Sequence, residues 1–223
     1  MAGPDSNAKQ NEDEKELVTL YIVRHGETEW NVKDILQGQL DSPLTERGIE
    51  QAHKLGERLG DVNFDRVFSS DLERAERTAE IAFVERQLAL ATSELLRERN
   101  WGIYDGKQAD FFRREARDLI DKFQQLTEEE KWSFKFHESI ESNEEIFGRF
   151  MNFLREVALA YPGETIAVVS HLNMMEALLR HLGLQPLHVD NSACVQIRTD
   201  GVEIILEDTS GVHLADEGKG NEG

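Results

Sequence analysis

Two runs of apolar, largely β-branched residues constrain this chain more than any other feature. Leu17 to Arg24 (LVTLYIVR) and Thr165 to Ser170 (TIAVVS) lack the strict alternation of a strand with one wet face. Strands of this kind are buried on both sides, as in a mainly parallel sheet covered by helices. The intervening pattern agrees. Helical periodicity runs from Thr45 to about Leu59, with Thr45 and Glu46 at its start and Gly60 at its stop. A short strand, Arg66 to Ser69, leads into a helix near Asp71, whose carboxylate is expected to cap the first turn. Further helices are expected at about 108–125, 143–160 and Asn173 to His181. In the second of these, Ile146, Phe150, Phe153, Leu154 and Val157 mark a core face. Two last strands, near 193–199 and 202–207, flank Asp200-Gly201, a dipeptide expected of a two-residue hairpin turn. The expected fold is an α/β three-layer sandwich: a mainly parallel central sheet with an antiparallel edge, and helices on both faces.

With 223 residues, 39 % of them hydrophobic, one domain with a sizeable core is expected over 17–212, between polar tails at 1–16 and 213–223. There is no internal repeat or interdomain linker. The helical stretch at about 108–143 reads as an insertion and is expected to sit over the site as a lid. The formal charge of −19 argues against nucleic-acid and anionic-membrane partners, which need a basic patch. No apolar run is long enough to span a bilayer and the N-terminus does not resemble a signal peptide, so a cytoplasmic location is expected. The single cysteine, Cys194, reads as a buried strand residue without a role. No apolar stripe separates from the core pattern to indicate an oligomer interface.

Ligands of open α/β sheets gather beyond the carboxyl ends of strands. His25 follows the first buried strand and His171 follows TIAVVS, so the two meet at one edge if those strands are parallel. Alone, either would more often be structural. Here the sequence resembles the histidine phosphatase superfamily, which includes cofactor-dependent phosphoglycerate mutases. LYIVRHGETEWN (20–31), LQGQLDSPLTERG (36–48), FSSDLERAERTAE (68–80), LLRERNWGIYDGK (95–107), Glu141-Ser142, VVSH (168–171) and Asn191-Ser192 fall in that family's order and approximate spacing. The resemblance covers about 17–207 and implies a phosphoglycerate mutase-like fold.

The roles implied by the resemblance suit phosphoryl transfer, where positioning and fixed positive charge do most of the work. His25 would be the in-line nucleophile, since a neutral imidazole nitrogen is available near pH 7. Arg24 and Arg74 would grip the phosphoryl oxygens, a guanidinium fork matching phosphate geometry. They would also supply locally the positive charge that an acidic protein otherwise lacks. His171 would donate to the same group, as a cation once phosphate is bound. Glu98 would protonate the leaving oxygen and then activate water, with Glu27 as the fallback and Trp101 as an apolar wall. Asn31 would lend an amide, Gln37 a side-chain contact and Gly38 a close backbone approach. Leu172 and Asn173 follow His171 at the pocket, Leu172 standing where many members have glycine.

Two features favour hydrolysis over mutase chemistry. The chain's four prolines lie at positions 4, 43, 162 and 186, so the insert lacks the proline-rich loop with which the mutases close over a substrate carboxylate. Arg113 and Arg114 form an arginine pair there, but Gln37 replaces the serine usual in the mutases. The expected activity is hydrolysis of a small phosphorylated metabolite through a phosphohistidine, without metal or cofactor. Phosphoglycerate mutase-type transfer is the alternative, and a non-catalytic phospho-ligand module a more distant one. His53, His137, His181, His188 and His213 are scattered and form no metal-ligand spacing.

Overall fold

The strands and helices alternate as expected. They are β1 (Val18–Arg24), α1 (Glu29–Val32), α2 (Glu46–Arg58), β2 (Arg66–Ser70), α3 (Glu73–Phe83), β3 (Leu90–Ser93), α4 (Ala109–Glu115), α5 (Arg117–Gln124), α6 (Glu128–Ser133), α7 (Asn143–Ala160), β4 (Thr165–Ser170), α8 (Leu172–His181), β5 (Pro186–Thr199) and β6 (Ile204–Leu214). The computed structural model describes residues 16–215, and most of both expected tails lies outside them.

The six strands form one sheet in the order β3-β2-β4-β1-β5-β6. β1, β2, β3 and β4 run parallel to one another, and β5, antiparallel to both β1 and β6, begins the antiparallel edge. Successive side chains of a strand point to opposite faces, and β1 and β4 bury both. Val18, Leu20, Ile22, Ile166 and Val168 join a core with α7 and α8 that contains Phe150, Leu154, Met174 and Leu178. Val23, Ala167 and Val169 join the opposite core with Leu55 of α2 and Ala75 and Ala79 of α3. This two-sided burial is the physical reason that neither run alternates. Ile146, Phe150, Phe153, Leu154 and Val157 are all buried on α7.

Several local expectations change. Asp71 does not cap the third helix: Leu72 is the N-cap residue and provides no side-chain bond. Asp41, thirty-odd positions earlier, accepts from the backbone N–H groups of Glu73 and Arg74 at 3.0 and 3.3 Å, while Asp71 binds Arg97. Asp200-Gly201 does not form a two-residue turn. Thr199 pairs with Ile204, leaving the four residues 200–203 to the loop, where Asp200 Oδ1 accepts from Val202 and Glu203 N–H. The pattern at 108–125 is two helices that meet at Ala116. β5 begins seven residues before the expected 193, and β6 runs on to Leu214, beyond the expected boundary at 212. β3 was not anticipated at all. Among the described residues no helix is long and apolar enough to cross a membrane.

Candidate active site

β1 and β4 are adjacent and parallel, with Arg24 opposite Ser170, so the residues just beyond them, His25 and His171, emerge side by side. Their ring centroids lie 5.2 Å apart. His25 N–H donates to the Ser170 carbonyl at 3.0 Å and Asn191 Nδ2 donates to the His25 carbonyl at 3.0 Å, which pins the backbone here. His25 Nδ1 lies 2.7 Å from the Gly26 carbonyl oxygen. A carbonyl only accepts, so Nδ1 carries the hydrogen and the lone pair is on Nε2. Gly26 is required by its contact with α2, since a Cβ there would stand 2.5 Å from the Gly48 carbonyl oxygen.

Two buried guanidiniums flank the rings. Arg24 donates through Nη1 to the Val189 carbonyl at 2.6 Å. Arg74 donates to the carbonyls of Leu40 and Gly38 at 2.7 and 2.8 Å and pairs with Asp41 at 2.8 Å. Burial, followed by the charges of Arg74 and Arg24, pushes His25 well below its usual pKa. Burial and Arg74 do the same to His171. Both rings are therefore neutral at pH 7 in the free protein. Arg24 Nε, Arg74 Nε, both His171 ring nitrogens, Gln37 Oε1 and Ser192 Oγ are buried without a hydrogen-bond partner among the described residues. Buried polar groups are ordinarily paired, and a buried cation without an anion is costly. The donors among them, the two guanidinium Nε–H groups, one His171 nitrogen and the Ser192 hydroxyl, can receive an oxyanion, whereas Gln37 Oε1 can only accept.

Glu98 is buried, and its Oε1 accepts from Arg99 N–H at 2.7 Å and Asn173 N–H at 3.2 Å. Its charge acts on both Arg24 and Arg74, which places it with the cations. The expected fallback, Glu27, faces α2 instead, accepting from Thr45 Oγ1 at 2.9 Å and pairing with Arg47. Asn31 uses its side-chain oxygen in the capping box of α1, which leaves its amide nitrogen for a ligand. At Gly38 the backbone passes close to Asp105: with φ at +54°, a Cβ would stand 1.7 Å from Asp105 Oδ1. Leu172 opens α8 and packs against the core, whereas Asn173 Oδ1 accepts from Arg99 Nε at 3.2 Å.

The segment expected as a lid buries its own small core, in which Phe112 packs edge-on against Trp101 with ring centroids 5.3 Å apart. Its α5 and α6 region forms one wall of a cavity of about 460 Å³ that reaches Arg99, Trp101 and Asn173, hence the flank of Glu98. Arg113 and Arg114 sit on its exposed side, paired with Asp34 and Asp110. Sequence reasoning assigned no role to Ser192, whose φ of +61° is unusual for a residue other than glycine. It also passed over Asp41, Asp105 and Arg149, which position site residues through contacts distant in sequence. Cys194 is buried, its thiol pushed up to about 12, consistent with an inert core residue. Among the described residues no group of three His, Cys, Asp or Glu side chains is arranged to hold a metal ion.

A sheet edge that buries two neutral histidines between two arginines defines an α/β protein able to handle an oxyanion. The model of the histidine phosphatase superfamily (branch 1) matches residues 20–213, and the chain belongs to that superfamily. The uncharacterized phosphatase PhoE of Bacillus subtilis (strain 168) is 31% identical over 166 residues, covering 74% of this chain and 78% of PhoE. Among solved structures, Bacillus stearothermophilus YhfR superposes with a TM-score of 0.76 at 30% identity, covering 85% of this chain and 95% of YhfR. The phosphoglycerate mutase of Bacillus anthracis str. Sterne gives 0.72 at 30% identity, covering 88% and 94% of the two chains. These similarities support an enzyme of the phosphatase kind, in a superfamily where phosphatases and mutases share one fold.

Proposed function

We propose that the chain hydrolyses phosphate monoesters through a phosphohistidine on His25. The observation that carries this reading is the buried donor set without partners, Arg24 Nε, Arg74 Nε and His171, beside a histidine whose Nδ1 is already committed. In the first step His25 Nε2 forms a bond to phosphorus as the P–O bond to the alcohol breaks. Arg24, Arg74 and His171 stabilise the three equatorial oxygens, and Glu98 takes the proton that the monoester monoanion carries and passes it to the departing alkoxide. In the second step water attacks phosphorus, the P–N bond breaks, Glu98 takes the water proton and inorganic phosphate leaves. A bound phosphoryl dianion also offsets the burial penalty and the arginine charges that keep His171 neutral in the free protein, so His171 can enter as an imidazolium donor.

Hydrolysis is favoured over phosphate transfer between positions of one small acid by the prolineless insert. Its helices border a cavity of about 460 Å³ beside Glu98, more space than a three-carbon acid fills. The test is a rapid base quench of the enzyme with a radiolabelled ester. A base-stable, acid-labile phosphoryl group on His25, absent from His25→Ala, is expected together with release of inorganic phosphate. Undiminished turnover by a folded His25→Ala protein would refute the mechanism. Rapid isomerisation of 3-phosphoglycerate with a bisphosphate primer would favour the mutase reading.

A further inference from the structure

The cavity beside Glu98 is bordered on the catalytic side by Arg99 and Asn173, whose backbone N–H groups hold the Glu98 carboxylate. An ester oxygen protonated by Glu98 would send its alcohol in this direction. The far walls are aromatic: Phe123, Phe134 and Phe136 from the insert, and Trp132 from α6. Phe123, Phe134 and Phe136 pack tilted or edge-on against one another, with centroid separations of 5.1 Å for both Phe123–Phe136 and Phe134–Phe136, while Lys131 Nζ lies 5.7 Å from the Phe123 ring centroid and Trp132 packs against His181. At about 460 Å³ the space suits a ligand much larger than a three-carbon acid.

The charged groups lining it are not equivalent. Lys131 is paired with Glu128 at 2.8 Å, and Arg180 donates to Gln185 at 3.1 Å. Arg99 has three donors committed, to Asn173 Oδ1, the Glu141 carbonyl and Asn143 Oδ1. Glu176 differs: it lies one turn beyond Asn173 on α8, lines the same cavity and has no hydrogen-bond donor among the described residues. Burial pushes its carboxyl up, as does the Glu98 charge, against the pull of Arg180 and Arg99. Glu176 is half-buried, so its carboxylate remains open on the cavity side to a donor carried by a ligand.

We propose that this cavity receives the leaving group of the ester, and that it selects an alcohol bearing an aromatic ring with an amine beyond it. The rings of the insert take the aromatic part and Glu176 takes the ammonium. The proposal rests on the phosphatase reading, but its test can be read separately. Three phenyl phosphates that differ only in the para substituent, 2-aminoethyl, ethyl or 2-carboxyethyl, present the same reacting bond. The amine ester is expected to exceed the ethyl ester in kcat/KM by about ten-fold, the usual effect of one hydrogen bond to a charged group, with the carboxylate ester poorest. In Glu176→Gln the ratio of amine to ethyl ester should fall close to one. A ratio taken within one variant is insensitive to a general loss of folded protein.

Binding of the alcohols themselves separates this inference from the catalytic one. Tyramine should bind more tightly than 4-ethylphenol, read by calorimetry or by quenching of Trp101 and Trp132, and the difference should vanish in Glu176→Gln. If no ester is hydrolysed but tyramine retains this Glu176-dependent preference, the phosphatase reading fails and the pocket assignment stands. Equal affinities of the wild type for the two alcohols, or preference for the carboxylate ester, overturns the pocket assignment.

Discussion

His25 and His171 face each other with their rings tilted by 59°, because the parallel pairing of β1 and β4 ends both strands at the same level. Two imidazoles this close, beside two guanidiniums, cannot all be charged without an anion among them. The protein resolves the conflict by keeping both rings neutral, which is also the state an attacking nitrogen needs.

That resolution makes the fold acid-sensitive. In the unfolded chain each histidine titrates near pH 6.5, whereas burial and the neighbouring arginines hold both well below that value in the fold. As pH falls below about 6.5 the unfolded state binds protons that the native state refuses, so stability is fully present above that pH and declines beneath it. The melting temperature should therefore fall through this range and fall less steeply in His171→Gln. An identical decline in the variant would assign the acid sensitivity to other groups. The same shift places the acid limb of kcat/KM in the free enzyme below pH 6.5, because His25 stays unprotonated there.

Gly38→Ala should damage the site from a distance. The added methyl would overlap the Asp105 carboxylate, and φ at this position is already left-handed. Asp105 accepts from Gln39 and Trp101 N–H, so it joins the loop that holds Arg74 to the block that carries Glu98. Displacing it should weaken binding of vanadate, a phosphate mimic, by ten-fold or more, and cost about 1–3 kcal/mol of stability in denaturant unfolding. Vanadate affinity equal to that of the wild type would show that the loop tolerates the change.

What could be read from the chain follows from how local each feature is. β1 and β4 were legible because two-sided burial writes itself into consecutive residues. β3 was not: its four residues, Leu90 to Ser93, are half-buried or exposed and show no period. The first half of β5 was hidden by irregular pairing between Pro186 and Cys194, which breaks the alternation. The arginines and histidines of the site could be named through the family resemblance. The contacts that hold them could not, because Asp41, Asp105 and Val189 reach their partners across distances that no local pattern records.

Asp41 shows the cost of such a non-local contact. It caps α3 and pairs with Arg74 through the same carboxylate. Asp41→Ala should lose about 1 kcal/mol, as for an ordinary helix cap, and should also weaken vanadate binding because the Arg74 guanidinium is released. Asp71→Ala, the substitution suggested by sequence alone, removes only the partly exposed pair with Arg97 and should leave vanadate binding within two-fold of the wild type. Equal losses in the two variants would contradict this division.

Arg149 offers the sharpest separation of binding from chemistry. From α7 it grips both oxygens of Glu141 at 2.9 Å, and it donates to the carbonyls of Leu95, Arg97 and Glu98 at 3.0, 3.1 and 3.3 Å. It is thus the strut beneath the segment that presents Glu98, while Arg24, Arg74 and His171 stand on other elements. Arg149→Met keeps most of the aliphatic packing but leaves a carboxylate and three carbonyls short of a donor, a change expected to cost about 2–3 kcal/mol. If Glu98 supplies the proton, kcat for an ester with a poor leaving group should fall at least ten-fold in this variant. An ester of an acidic phenol, whose oxygen leaves without protonation, should be hydrolysed almost as fast as by the wild type. Vanadate affinity should change little, and equal losses on both esters would remove Arg149 and Glu98 from the proton-transfer step.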